Sequence, residues 1–188
     1  MVEIVKDEFT YFSEAVEQTN GKPVETKELF NIPIVNSIWR VLTGKRFQSG
    51  DVKLERTIHV MDDVFADAGS ILGYLGFMSV KAKILFEALG LLRMKTGIDY
   101  IFEIAEEQIV EHEATFQEED IRDFTDCFIE KKMLNEIDKE DQKFAKQNLR
   151  NIFLDLFLAG SETTSSTLKW AMLYMVLNPI IQHKVQVF

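Results

Sequence analysis

One stretch near the end of the chain, residues 154–179, restricts the possible folds most strongly. It reads LDLFLAGSETTSSTLKWAMLYMVLNP, with apolar residues on both sides of a polar centre. Between Ser161 and Thr167 every residue except Glu162 carries a hydroxyl group, and a glycine precedes them. Glycine costs about 1 kcal/mol relative to alanine in a helix interior, and hydroxyls compete for backbone groups. Because apolar residues resume at once and no proline occurs before Pro179, the stretch predicts one long helix with a polar segment at its middle.

Charge and cysteine content exclude several classes of function. The net charge is −10, and residues 99–141 alone hold 16 acids against 4 bases, which favours a solvated acidic helix face over a nucleic-acid-binding surface. Asp155, Glu162 and Lys169 interrupt the long helix before it reaches the roughly 20 apolar residues that cross a bilayer. The first residues, MVEIVKDEF, do not resemble a secretory leader. The single cysteine, Cys127, excludes an intramolecular disulfide, and its place in a helical stripe predicts a small buried hydrophobic residue.

Apolar residues elsewhere recur at helical spacing, and neither a strand alternation nor a hairpin signal is present, so the sequence predicts an all-α fold. The predicted elements are a helix with a buried stripe of Val2, Val5, Phe9, Phe12 and Val16; a helix over 29–42 with Pro33 in its first turn; a helix over 54–69; an apolar connector with short helical pieces over 69–97; a helix over 98–114; a shorter helix near 121–128; a charged loop over 135–142; and the long helix over about 144–178. The connector either packs under a loop or forms a mobile lid.

The polar segment is the one candidate for chemistry, because the chain lacks a glycine-rich phosphate loop, a CxxC pair and an HExxH motif. His59, His112 and His183 lie far apart in the sequence and are interpreted as solvated or packed histidines. On a helix, Asp155, Ala159, Thr163 and Ser166 share one face, with Glu162 about 100° from Thr163 around the axis. The Thr163 hydroxyl could bond to the carbonyl of Ala159 or turn toward a ligand. An acid and an alcohol beside a helix groove can deliver protons.

At these residues the sequence resembles the cytochrome P450 family. The family's long central helix carries the pattern Ala/Gly, Gly, any residue, Asp/Glu, Thr and Thr/Ser, which residues 159–164 match throughout. The stretch LFNIPIVNSIWRVLTGKRF at 29–47 resembles an earlier helix of the family that ends in Gly-x-Arg-Phe, and RDFTDCFIEKKM at 122–133 resembles the short helix before the central one. The resemblance to microsomal-type members spans essentially the whole chain.

The resemblance implies a fold and a set of site residues. Residues 1–188 would form a single incomplete domain, a partial cytochrome P450 fold without its β-rich part and haem-thiolate loop. Helices within about 54–114 would cover the substrate cavity as a lid, and the helix over 144–178 would be the central one. The implied site residues are Glu162 and Thr163 as catalytic groups; Ala159, Gly160, Thr163 and Thr164 toward the haem; and Asp155, Leu158 and Ala159 toward the substrate; no metal ligand is expected in this chain.

The implied activity is that of a haem-thiolate monooxygenase, an oxidoreductase that inserts one oxygen atom from O2 into a small apolar organic substrate. The implied electron source is NADPH through a reductase partner, at the cytosolic face of the endoplasmic reticulum membrane. The sequence shows no membrane anchor. Because Cys127 lacks the glycines of a thiolate loop, it is not expected to bind the iron, and the isolated chain is expected to be inactive. The alternative is a non-enzymatic helical interaction or apolar-ligand-binding module in which residues 161–167 line a wet groove.

Overall fold

A computed structural model describes residues 1–24, 26–48, 50–91, 93–134 and 139–187. Within these ranges the regular structure is entirely helical, and the predicted all-α class is confirmed. In chain order the helices are α1 (Val2–Gln18), α2 (Thr26–Thr43), α3 (Val52–Ala68), α4 (Ile71–Met78), α5 (Val80–Ala88), α6 (Met94–Thr115), α7 (Phe124–Leu134), α8 (Lys139–Leu177) and α9 (Pro179–Val187).

The long helix α8 is the element against which the others are arranged. Its 39 residues extend over about 58 Å, and it packs mainly on α2 and α6, while α3 packs on α6 and α1 packs on α2. The predicted long helix is therefore confirmed, but its start at residue 144 is wrong, because α8 already includes residues 139–143. Residues 135–138 of the predicted charged loop lie outside the described ranges.

The core lies where α2 meets α8. The Trp39 ring stacks on Phe47 with ring centres 4.6 Å apart, and it contacts Phe153 at 6.2 Å and Phe157 at 5.9 Å. All four side chains are buried, together with Leu149 one turn before Phe153. Spacing of four residues along α8 places these apolar groups on one side of the helix, which leaves the opposite side open.

Pro33 lies inside α2 and not in its first turn, so that prediction is wrong. Proline has no N–H, and the hydrogen bond that would run from residue 33 to the carbonyl of residue 29 is lost. Burial of Phe30, Val35, Trp39 and Leu42 along the same helix offsets this cost, since each large apolar side chain contributes about 1.5–3 kcal/mol when it leaves water.

The predicted buried stripe of α1 is wrong. Val2, Val5, Phe9 and Val16 are exposed, and the buried residue of this helix is Glu8, with 2% of its surface accessible. Glu8 is buried because arginines surround it. Its carboxylate accepts from Arg46 Nε at 2.8 Å and Nη2 at 3.1 Å, and from Arg40 Nη1 at 3.4 Å. A buried ion pair thus holds α1 against α2 and the segment that follows α2, and the apolar side of α1 faces an open groove.

Residues 69–97 contain two short helices, α4 and α5, as predicted, but they are not packed under a loop. Of their residues only Gly73 and Gly76 are buried, while large apolar side chains such as Ile71, Phe77 and Val80 are exposed. Asp67 joins the two ends of this segment. Its Oδ2 accepts from the backbone N–H groups of Arg93 and Met94, the latter at 2.7 Å, so that the end of α3 caps the start of α6.

Surface charges and Cys127 differ from their predicted settings. Several acids of α6 form ion pairs with lysines of other segments, among them Glu107 with Lys53 at 2.5 Å and Glu106 with Lys146 at 2.7 Å, so the acidic face is not simply solvated. Cys127 is exposed, and its prediction as a buried residue is wrong. The inward side of α7 is instead occupied by Thr125, Asp126 and Ile129, because polar groups at the start of this helix bond to neighbouring segments.

Candidate functional site

The polar segment of α8 is helical throughout, and the hydroxyls of Thr163, Ser165 and Thr167 bond to carbonyls about one turn back. Thr163 Oγ1 donates to the carbonyl of Ala159 at 2.5 Å, and Thr167 Oγ1 donates to the carbonyl of Thr163 at 2.7 Å. Side chains of this type compete with the backbone only when they pull the chain out of helical geometry. Here they follow the helix, and of the two alternatives open to the Thr163 hydroxyl the structure shows the bond to Ala159.

Three of the predicted site residues form an exposed row on α8. Asp155, Ala159 and Thr163 follow at intervals of four residues, and all three are exposed. Ala159 offers only a methyl group between two polar side chains, which leaves space for a flat or bulky group against the helix. Leu158, predicted for the substrate side, is instead partly buried and packs on the hydrophobic core together with Leu154.

Gly160 and Thr164 lie on a different side of the helix from this row. Both line an apolar groove of about 540 Å³ that α1, α2 and α8 enclose, whose other walls include Phe9, Phe30, Ile34, Leu156 and Leu168. A Cβ at residue 160 would lie 3.0 Å from Ile38 Cδ1, so the glycine allows α2 to approach closely. The structure therefore divides the four residues predicted to face the haem into two pairs.

The carboxylate of Glu162 is fixed by a neighbour one turn along the helix. Ser166 Oγ donates to Glu162 Oε1 at 2.7 Å, and Glu162 is half-buried beside the exposed row. A hydrogen bond to a charged acceptor is stronger than one between neutral groups. The sequence placed Ser166 on the face of Thr163, but its contact with Glu162 was missed, although the spacing of four residues could have indicated it.

The remaining serines of the polar segment face the interior. Ser165 is fully buried and its hydroxyl donates to the carbonyl of Glu162 at 3.3 Å, while the hydroxyl of Ser161 is buried without a partner among the described residues. These two residues continue the row formed by Leu149, Phe153 and Phe157. Small polar groups thus replace the aromatic ones where the helix passes from the core to its open half.

Comparison with known proteins decides the family. The cytochrome P450 family model matches residues 1–187. The chain belongs to the cytochrome P450 family. It is 29% identical to cytochrome P450 2J2 of Homo sapiens and 31% identical to cytochrome P450 2J5 of Mus musculus, in each case over 98% of this chain and 36% of the relative. It is also 26% identical to farnesoate epoxidase of Bombyx mori, over 88% of this chain and 33% of that protein.

The chain thus spans about a third of the length of the curated relatives it matches. Two residues of the exposed row on α8, Ala159 and Thr163, belong to the family pattern at residues 159–164. None of the described helices is long and apolar enough to cross a membrane. In the same described part, the one group of side chains with metal-ligand chemistry is His112, Asp123 and Asp126, which lies away from α8's polar segment at the junction of α6 and α7.

Proposed function

We propose that this chain forms one wall of the oxygen-activating site of a haem monooxygenase, and that Glu162 and Thr163 deliver protons there. The observation that supports this most directly is the exposed row of Asp155, Ala159 and Thr163 beside a half-buried carboxylate that Ser166 fixes. General acid–base chemistry requires an acid and a hydroxyl whose positions are defined before the reaction. Membership in the cytochrome P450 family gives that pair a reaction to act in.

The residues of the exposed row fit a haem. A planar macrocycle needs a flat approach to the helix, which the methyl group of Ala159 permits, and Thr163 is exposed one turn further on. Gly160 and Thr164 contribute indirectly, because they face the groove toward α2 and set how close that helix lies. If bound, the haem would supply the redox chemistry of oxygen activation, and no residue of this chain is proposed to bind its iron.

The side chains provide a short route for a proton. The Thr163 hydroxyl donates to the Ala159 carbonyl, and rotation about χ1 would release it toward the open face. Glu162 is the adjacent residue, and its bond from Ser166 limits the positions that the carboxylate can take. In its protonated form the Glu162 carboxyl can return a proton to the hydroxyl through one water molecule, and the carboxylate that remains takes up a proton from solvent.

We propose further that the substrate is a small apolar organic molecule that lies near Asp155 and Ala159, with Leu158 contributing from the core side. Helices α3 to α6 would cover it, since α4 and α5 expose apolar side chains and the ends of their segment are joined by Asp67. The electrons would come from NADPH through a reductase, at the cytosolic face of the endoplasmic reticulum membrane. This chain by itself would be inactive, because none of its residues is assigned as the iron ligand.

The decisive experiment compares Thr163→Val with Thr167→Val in the complete protein that contains this chain. Valine keeps the shape of threonine and removes the hydroxyl, and Thr167 bonds only to the carbonyl of Thr163, so it serves as the matched control. We expect Thr163→Val to divert oxygen consumption from product to hydrogen peroxide, by about tenfold or more if proton delivery is lost. Equal coupling in both variants, with the carbon monoxide spectrum of a thiolate-bound haem intact, would refute the role of Thr163.

One observation favours a second function, the binding of an apolar ligand without catalysis. The groove between α1, α2 and α8 has about 540 Å³ of space and is lined largely by apolar side chains, which suits a small ligand. The two functions differ in their dependence on α8. Ligand retention by the groove would be weakened by Ile34→Glu and unaffected by Thr163→Val, whereas monooxygenase coupling would respond to Thr163→Val.

A further inference from the structure

Both ring nitrogens of His112 face hydrogen-bond acceptors. This residue lies in the last turn of α6 with 2% of its surface accessible. Its Nδ1 is 2.7 Å from the carbonyl oxygen of Gln108, and its Nε2 is 2.8 Å from Oδ2 of Asp123. A carbonyl oxygen and an ionised carboxylate can only accept, so each nitrogen must carry a proton for both bonds to form. The contacts therefore describe an imidazolium cation.

Asp123 connects this cation to two further helices. Its Oδ1 accepts from the backbone N–H of Asp126 at 3.0 Å and so caps the start of α7. Gly44, with φ of +66° just after the end of α2, lies so close that a Cβ there would be 3.2 Å from Asp123 Oδ2. Thr125 Oγ1 donates to the carbonyl of Leu42 at 2.7 Å. The ends of α2 and α6 and the start of α7 therefore meet at one carboxylate.

The other charged groups around His112 are paired with one another. On the α7 side, Asp126 is held by Arg122, with Nε 2.5 Å from Oδ2 and Nη2 2.8 Å from Oδ1. Next to His112 on α6, Glu111 pairs at 2.5 Å with Lys45 from the segment after α2. From α8, Lys146 is bound to Glu106 at 2.7 Å and lies 3.7 Å from Glu113.

We propose that His112 and Asp123 form a pH-sensitive clamp, closed when the imidazole is protonated, that holds the end of α6 to the start of α7 and the end of α2. In the neutral imidazole that keeps its Nδ1–H bond to Gln108, the lone pair of Nε2 would face the lone pairs of the Asp123 carboxylate. The bond at 2.8 Å would then become a repulsion, and the junction would loosen. A metal ion is a poorer occupant of the same place, because it would have to displace both this proton and Arg122.

The direction of the pH dependence follows from the same contacts. The hydrogen bond to Asp123, opposed by desolvation and assisted by the Gln108 carbonyl, raises the pKa of His112 above its ordinary value. The clamp therefore contributes its full stabilisation below the unfolded-state pKa of about 6.5, and this contribution is lost as the pH rises through the higher folded-state pKa. A rise of the pH through that folded-state pKa would therefore loosen the end of α6.

The test is nuclear magnetic resonance of the full 188-residue chain with 15N-labelled histidine rings. His59 and His183 are exposed and can be replaced by Gln to leave one signal. We expect His112 to titrate with a midpoint above the ordinary value, and both of its nitrogens to be protonated below that midpoint. Asp123→Asn should lower that midpoint, because the Asn amide can donate to an unprotonated Nε2. Glu118→Gln removes an exposed charge of the same sign and should leave it unchanged.

A second measurement covers the case in which Asp123→Asn fails to fold. His112→Gln retains a donor toward Asp123 but does not titrate, so its urea midpoint should be the same at pH 6 and pH 8, whereas that of the unaltered chain should fall. Three results would each overturn the proposal: a His112 midpoint at the ordinary value, a midpoint that Asp123→Asn does not move, or the same loss of stability with pH in His112→Gln as in the unaltered chain.

Discussion

The hydroxyl of Ser166 donates to Oε1 of Glu162 across one turn of α8, at 2.7 Å. The bond joins two side chains of the polar segment, whereas Thr163, Ser165 and Thr167 donate to backbone carbonyls. In a helix of a cytochrome P450 that is otherwise bonded internally, it makes the position of a carboxylate depend on one neighbouring side chain.

Loss of this bond should affect proton delivery without affecting the fold. We expect Ser166→Ala in the complete protein to increase the ratio of hydrogen peroxide to product, by less than Thr163→Val does, because Glu162 stays present but less ordered. A bond to a charged acceptor contributes about 1.5–3 kcal/mol, which bounds the effect at roughly a hundredfold. Ser166→Thr, which keeps the hydroxyl, should restore coupling. If Ser166→Ala and Ser166→Thr uncoupled the reaction equally, loss of the hydroxyl group would not be the cause.

The contact of Gly160 with Ile38 predicts a non-additive pair of substitutions. Alanine at residue 160 gains about 1 kcal/mol of helix propensity, but its Cβ would lie 3.0 Å from Ile38 Cδ1 and that side chain must move. We therefore expect Gly160→Ala alone to change the free energy of unfolding by less than about 1 kcal/mol. In an Ile38→Val background, which lacks the Cδ1 atom, the same substitution should be clearly stabilising. Urea unfolding of the four chains measures the coupling, and strict additivity would argue against this contact.

Replacement of Ser161 by alanine should make the fold more stable. Its hydroxyl is buried without a partner among the described residues, and such a group costs about 1–3 kcal/mol of desolvation. Ser161→Ala should thus raise the free energy of unfolding by about 1 kcal/mol. Thr125→Val is the contrasting substitution, because it removes a bond of 2.7 Å to the buried carbonyl of Leu42 and should destabilise by a similar amount. Thermal or urea unfolding measures both effects. If both substitutions stabilised the chain, or both destabilised it, the description of Ser161 as unpaired and Thr125 as paired would be contradicted.

The pair of Arg122 and Asp126 predicts an acid-dependent effect. The hydrogen bond from Arg122 lowers the pKa of the fully buried Asp126, so the stabilisation is present above the unfolded-state value of about 3.9 and is lost as the pH falls through the folded-state pKa. Arg122→Gln should cost about 2 kcal/mol or more at neutral pH, because it leaves a buried charge unpaired. The difference from the unaltered chain should disappear in acid, where Asp126 is protonated. A cost that persists below the folded-state pKa of Asp126 would indicate lost packing of the arginine stem instead.

The helices could be predicted from sequence where one apolar face is buried by its neighbours. The stripes of α3 and α6 are of this kind, and the polar segment of α8 identified the candidate site. Prediction failed where the partner of a residue is distant in sequence. The stripe predicted for α1 did not include Glu8, because its partners Arg40 and Arg46 lie more than thirty residues away. The predicted connector over 69–97 included Gly97, but this residue is buried in α6, where a Cβ would lie 2.8 Å from Val64 Cγ2 on α3.

The sequence predicted which residues make up the candidate site better than it predicted the directions in which those residues face. Residues 159–164 were read as one surface, yet Ala159 and Thr163 lie in the exposed row, while Gly160 and Thr164 line the groove toward α1 and α2. A sequence shows which residues share a helical face, but which face is covered depends on how α2 and α8 cross. The same limit applies to His112, whose role depends on a carboxylate from another segment.

Because Asp67 at the end of α3 caps the start of α6, the segment between these two helices is a loop whose ends are held together. The free energy of closing such a loop grows only with the logarithm of its length, so residues within it can be exchanged, added or removed at little cost to the helices that carry it. In evolutionary terms, α4 and α5 form a cassette. Its sequence can diverge while α3, α6 and the long helix stay as they are.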